Sequence, residues 1–288
     1  MREFKILAVV VFFTGLIYWG VEPFAHSQMH PHVAPADFAF KDLGSSTKMG
    51  DAKVGAETFL SAGCTGCHSL NVANMPAPMD AAAASASFGV VPPDLSTAGL
   101  IYDKNYLSAL IKDPTKALKV QHKFNEEKPH PMIAFYGLGG DIDQEIADIV
   151  AYLQSVAPQK LSDKEVFANA CQRCHDMKYD KVFSATDKKT LTAYMGTLPP
   201  DLSIIIRAKS YEYLEIFIND PQKNLEGTSM PRVGLTQKAQ EQVVGYMEKV
   251  GDRKKAERED LGYKLIGFMA IFTFLAYLWK VKVWRDVH

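Results

Sequence analysis

The chain has 288 residues, 47% hydrophobic and 23% charged, which provides for a packed core and excludes wholesale disorder. Lys and Arg number 32 against 33 Asp and Glu, so the basic surplus of a nucleic-acid binder is absent. The four cysteines all sit in two short motifs, which excludes a disulfide-stapled secreted scaffold.

From the N-terminus, Ile6 to Val21 is an uncharged run preceded by Arg2 and Lys5. It predicts a transmembrane helix over residues 5–24, with Tyr18 and Trp19 as interfacial aromatics. Ala25-His26-Ser27 would also serve as a small-x-small cleavage site, so the segment reads as an uncleaved anchor or as a signal peptide. Residues 25–50, with Pro31, Pro35 and Gly44, are expected to form an extended linker.

The middle of the chain is one unit written twice. Cys64-Thr65-Gly66-Cys67-His68 recurs 107 residues later as Cys171-Gln172-Arg173-Cys174-His175. Pro92-Pro93-Asp94-Leu95-Ser96 and Pro199-Pro200-Asp201-Leu202-Ser203 keep the same offset, as do Tyr106-Leu107 and Tyr213-Leu214. The offset then shrinks, which places extra residues around Thr115–Pro131 and near Gly139 and Gly140 in the first copy. Each copy reads as helical. Ser162 and Glu165 make a capping box, and Ile146, Ile149, Val150 and Leu153 fall at helical spacing, as do Val243, Met247 and Val250. Residues 76–91, rich in Ala and Ser, read as a surface loop. The units are expected at 51–158 and 159–252.

After the second copy, Leu265 to Trp279 is uncharged and flanked by Lys264, Lys280 and Lys282. It predicts a second transmembrane helix over 261–284, with the lysines snorkelling and Tyr263, Tyr277 and Trp284 at the interfaces. Basic residues near Met1 and after Trp279 place both termini in the cytoplasm, and the two copies are then expected in the periplasm.

C-x-x-C-H is the attachment signature of c-type haem: two thiols bond the vinyl groups and the adjacent His binds iron. Two such motifs, using every cysteine, predict two covalently bound haem c groups on Cys64 and Cys67, and on Cys171 and Cys174. A thioredoxin-like pair or a zinc site would leave His68 and His175 without a role. Each iron then needs a sixth ligand. Met230, in Ser229-Met230-Pro231, and Met132, in Pro131-Met132-Ile133, occupy matching loops; His122 and His130 compete for the first iron. An iron-bound His fixes its other ring nitrogen on an acceptor, and the carbonyls of Pro93 and Pro200 are candidates. Arg207 is a candidate partner for a haem propionate. Residues 54–158 carry six Lys or Arg against eleven Asp or Glu, whereas 159–250 carry thirteen against twelve. That contrast suggests that the first copy meets a basic mobile cytochrome, with Asp141, Asp143 and Glu145 nearest the Met132 loop.

Each copy resembles a class I cytochrome c domain. The second resembles cytochrome c1 more specifically, through Leu198-Pro199-Pro200-Asp201-Leu202-Ser203 with Arg207-Ala208, and through Arg258-Glu259-Asp260-Leu261-Gly262-Tyr263-Lys264 at the anchor. The whole chain looks like the di-haem cytochrome c subunit of the quinol–cytochrome c reductases of epsilon-type proteobacteria. The resemblance implies an all-α fold of two tandem class I cytochrome c-like domains between two transmembrane helices, at the face of a bacterial inner membrane. It also implies cytochrome b and Rieske iron–sulfur subunits as partners in a dimeric complex, and a soluble cytochrome c or an oxidase as electron acceptor. No bond chemistry is expected on this chain. Its nearest rival is the di-haem subunit of a cbb-type cytochrome c oxidase; a di-haem peroxidase would need an iron with an open sixth position.

Overall fold

The structure, a computed structural model, describes residues 2–29, 34, 36–45 and 47–285. Pro31 and Pro35 of the expected linker lie outside the described residues. Among the described residues every regular element is helical, and strand-like pairing is confined to three isolated bridges.

The helices between the two terminal spans fall in two sets with one order. Ala81–Phe88, Ala98–Ile101, Lys104–Lys112 and Pro114–Ala117 recur 107 residues on as Lys188–Met195, Ile205–Ala208, Tyr211–Asn219 and Pro221–Asn224. The closing 15-residue helices, Ile142–Val156 and Gln237–Gly251, are offset by 95. Short polar side chains start nearly all of the longer helices by accepting from the free N–H groups of the first turn: Asp51, Asp80, Asp103 and Asp141 in the first set, and Asp187, Ser210 and Thr236 in the second. The capping box of Ser162 and Glu165 opens Asp163–Ala170.

The expected loop at 76–91 instead contains the helix Ala81–Phe88 between two short connections. Asp80 caps it and Gly89, at φ 78°, ends it. Four consecutive alanines have the highest helix propensity available but no polar–apolar period, so the pattern that usually reveals a helix is missing. Ala84 and Ser85 are buried, and the helix packs on its counterpart Lys188–Met195.

In each set the first and last helices cross. Gly55 sits at the first crossing, where a methyl group would lie 1.9 Å from the Asp148 carbonyl oxygen, so only glycine allows the backbones so close. Phe59 and Tyr152 meet there with ring centroids 5.6 Å apart; Phe167 and Tyr246 form the equivalent pair at 5.0 Å. The spaced residues Ile146, Ile149, Val150 and Leu153, and Val243, Met247 and Val250, are all buried. The larger core also takes in Ile101 from the first set.

The two sets are interlocked. Asp103 N donates to Gly234 O and Thr236 N to Ile101 O, at 3.0 and 2.9 Å, around the Tyr102–Leu235 bridge. Buried Arg232 pairs with Asp220 at 3.1 Å and with Asp42 of the linker at 2.9 Å, while Lys119 reaches Asp220 at 2.5 Å. Phe40 is buried against Tyr106 under Arg232. The linker is therefore pinned at this seam rather than simply extended, with a turn of helix at Lys41–Leu43.

The N-terminal helical run covers Glu3–Gln28, longer at both ends than expected and broken by a π-turn at Ile17–Val21. At 26 residues it is about 39 Å long, enough for a hydrocarbon slab of roughly 30 Å. The C-terminal helix, Lys255–Arg285, also extends beyond 261–284. Both are apolar enough to cross a membrane and present their apolar side chains outward, Trp19 at 87% and Trp279 at 72% exposure. Two such helices near the termini are consistent with membrane anchoring.

Candidate functional site

Each Cys-x-x-Cys-His motif begins where a helix ends. Ala52–Ser61 stops just before Cys64, through Gly63 at φ 71°, and Asp163–Ala170 runs directly into Cys171. Hydrogen bonds from His68 N to Cys64 O and from His175 N to Cys171 O, both 3.0 Å, curl the motif so that thiols and imidazole lie together. A tight hairpin follows in each copy, closed by the Leu70–Met75 and Met177–Val182 bridges.

The Pro-Pro-Asp-Leu-Ser segment is bolted to that hairpin. Asp94 accepts from Ser96 N at 3.0 Å, Ser96 Oγ at 2.7 Å and Asn71 Nδ2 at 2.9 Å, while Ser96 Oγ accepts from Val72 N. Asp201 and Ser203 repeat this with Lys178 N and Tyr179 N. Leu95 N to Ser69 O and Leu202 N to Asp176 O complete the clamp, each at 2.9 Å. The result is a carbonyl held opposite each imidazole: Pro93 O lies 2.9 Å from His68 Nδ1 and Pro200 O lies 2.8 Å from His175 Nδ1. A carbonyl can only accept, so the bond requires Nδ1–H and leaves Nε2 as the free lone pair. Burial lowers the pKa of both histidines against the opposing effect of the proline carbonyl, which keeps the rings neutral.

Burial holds three of the thiols in their protonated form. Burial pushes Cys64 up to about 11 and Cys171 up to about 12, and raises Cys174 as well. No disulfide joins them, and among the described residues no three His, Cys, Asp or Glu side chains gather as a zinc site requires. Paired thiols separated by two residues, beside a neutral imidazole with one nitrogen free, suit covalent haem attachment. The half-buried Arg173, whose Nε is sealed and has no hydrogen-bond partner, fits the same group, because haem carries two carboxylates.

The remaining sequence candidates are placed as follows. Met132 and Met230 are both half-buried in loops that follow the third long helix of their set. His130 Nδ1 lies 3.1 Å from Met132 O and 3.2 Å from Met132 N, and its ring meets Phe124 edge-on. His122 lines a surface groove with Asp42, Lys119 and Gln222. Arg207 is exposed, and its charge acts on Asp252 at the end of the last helix of its set. The acidic trio is engaged within the chain: Asp141 pairs with Lys48 at 2.9 Å, Asp143 with Lys112 at 2.6 Å, and Glu145 accepts from Leu138 N and Gly140 N.

The extra residues of the first copy have a position that sequence reasoning missed. Lys123 Nζ donates to Ser229 Oγ at 2.7 Å and also to Met195 O, which clamps the loop that carries Met230. Phe124 packs on Tyr194, and Lys128 Nζ donates to Tyr194 O. Nothing in the local sequence pairs these segments, because the contacts cross from one copy to the other.

The ammonia monooxygenase gamma subunit of Nitrosomonas europaea is 27% identical to this chain over 147 residues, which cover 38% of the chain and 63% of that protein. The chain thus spans less than two thirds of that relative's length. No solved structure matches. The family model described as cytochrome c matches residues 52–157, and this cytochrome c domain supports a haem electron-transfer role.

Proposed function

We propose that the chain is a membrane-anchored electron-transfer subunit with two covalently bound haem c groups, the c1-type subunit of a respiratory cytochrome bc complex. The observation that carries the haem reading is the constellation found twice: paired thiols, and an imidazole whose Nδ1 faces a clamped proline carbonyl. The haems would supply one-electron iron centres. Cys64, Cys67, Cys171 and Cys174 would tether them, His68 and His175 would offer Nε2 to iron, and Met132 and Met230 would offer thioethers on the other side. A thioether in the sixth position raises the reduction potential and leaves no site for oxygen or peroxide, so these residues carry electrons and do no bond chemistry.

In this reading 51–158 and 159–252 are two tandem class I cytochrome c-like domains. Electrons enter from the Rieske iron–sulfur protein, beside cytochrome b, and leave to a soluble cytochrome c or a terminal oxidase. The two apolar helices hold the domains at the periplasmic face of the inner membrane. Glu3 and Lys280 pair at 3.0 Å, which supports the start of one span and the end of the other lying on the same, cytoplasmic, side. Asp141 and Asp143 of the first domain keep 54% and 59% of their side chains exposed while paired within the chain, so the acidic trio stays a candidate for steering a basic acceptor.

Purification of the native complex tests this. The reading expects two haem c per chain by pyridine-haem stoichiometry, together with b-type haem and an iron–sulfur centre. Copper in place of the iron–sulfur centre would move the chain to a cbb-type cytochrome c oxidase.

A further inference from the structure

Arg173 stands between Cys171 and Cys174, where the first motif has Gly66, so the duplication is broken at this position by a charge. Its Nε is sealed from solvent and has no hydrogen-bond partner, and among the described residues its side chain enters no ion pair. Arg232, the other arginine with a sealed Nε, has two carboxylates against its terminal nitrogens. A half-buried guanidinium without a counter-charge is costly and calls for an anion.

Arg173 stands at the seam. Its carbonyl accepts from Thr186 N at 3.3 Å, and Thr186 Oγ1 in turn accepts at 3.2 Å from Val91 N, at the head of the first unit's proline loop that faces His68. Tyr102 of the first unit packs against the same core as Cys171. On haem c, the carbons that bond the two cysteines and the two propionates lie on opposite halves of the macrocycle. A residue between the cysteines therefore sits at the thioether half of its own haem, away from its own propionates. Across the seam, the candidate anion is a propionate of the other unit's haem.

We propose that Arg173 is the cation that neutralises a propionate of the haem carried by the first unit, reaching it from inside the second unit's Cys-x-x-Cys-His motif. This rests on the di-haem reading above. It makes Arg173 a positioning residue that sets one haem's potential from the other haem's domain. A positive charge beside a haem favours the less positive ferrous state, and an unpaired propionate favours the ferric state, so both effects act in one direction.

The test is a redox titration of the full-length holoprotein in its complex, preceded by a haem count. Met230→Leu lowers and thereby marks the potential of the second unit's haem. Arg173→Gln should lower the potential of the other haem and leave the marked one in place. If Arg173→Gln does not assemble, Arg173→Lys keeps the charge but not the planar fork, and should still displace a haem-propionate bending band in resonance Raman spectra. Two haems with a shift confined to the Met230-marked haem, or no shift, or an unmoved propionate band in Arg173→Lys, overturn the assignment alone. One haem per chain overturns the di-haem reading, and this assignment with it.

Discussion

The first and second units share the inside of their pockets and differ in what surrounds them. Cysteine pair, imidazole, proline carbonyl, and the Asp and Ser that clamp the proline loop are repeated at one offset and to within 0.1 Å in the histidine contact, 2.9 against 2.8 Å. Outside the pockets the symmetry fails in a directed way. The first unit contributes an extra segment whose Lys123, Phe124 and Lys128 lie on the second unit. The second contributes arginines at 173 and 232, where the first unit has Gly66 at the position matching Arg173. Duplication preserved the chemistry while the seam diverged into an interlock. If each pocket holds a haem as proposed, such an interlock would keep the two in one fixed relation, which tethered beads would not.

The largest effect should come from the shared part. Cys64→Ser with Cys67→Ser, and separately Cys171→Ser with Cys174→Ser, should each leave one covalent haem per chain, read as a single haem mass adduct. Loss of both haems from either pair would mean that the pockets do not assemble independently.

Sixth-ligand replacement sharpens the comparison next. Met230→Leu and Met132→Leu should each lower the potential of one haem and open its iron to carbon monoxide, seen as a shifted Soret band. His130 has Nδ1 within hydrogen-bond distance of the Met132 backbone, so His130→Ala should leave both ligation spectra unchanged. Carbon monoxide binding in His130→Ala but not in Met132→Leu would reverse the assignment at the first iron.

The seam is the third target. Arg232→Met leaves Asp220 buried with only Lys119 beside it, which should cost about 3 kcal/mol, the low end for breaking a buried pair. Gly234→Ala should be no milder. Its φ is +76°, and the new methyl would lie 2.1 Å from the Tyr106 ring, so the Asp103–Gly234 contact must open. Chemical denaturation reads both. Two separated transitions in place of one would show that the interlock makes the two units a single cooperative body.

These differences follow what each part depends on. The pocket was legible in the sequence because its chemistry is local: Cys, Cys and His are adjacent, and the proline that faces each His is 25 residues on in both copies. The helix crossings were legible through Ile146, Ile149 and Val150. The seam was not, because Lys119 and Asp220, or Lys123 and Ser229, are joined only by the way two finished units meet. Arg173 was in view as a motif letter. Its meaning needed the observation that no carboxylate reaches it. The Ala81–Phe88 helix was hidden for the opposite reason: an alanine run packed between units shows no amphipathic period.

The smallest effect should be at the linker, which enters the seam against Tyr106 and Lys119 of the first unit and Arg232 of the second. Asp42 is partly exposed and faces Arg232 at 2.9 Å and Lys119 at 3.7 Å. Partial burial would raise its pKa, but the Arg232 hydrogen bond and the charges of Arg232 and Lys119 outweigh it and hold the carboxyl below its ordinary value of 3.8. The sign follows from linkage. The unfolded chain binds this proton more readily, so the contribution of Asp42 is fully present above the ordinary value and is lost as pH falls through the lower folded value. Hydrogen exchange over residues 36–45 should therefore be as slow at pH 5 as at pH 8, then quicken, after correction for the intrinsic rate, only below about pH 4. Asp42→Asn should remove that acid step and leave the rest of the profile. A step between pH 5 and 7 would instead show that a group other than Asp42 holds the linker.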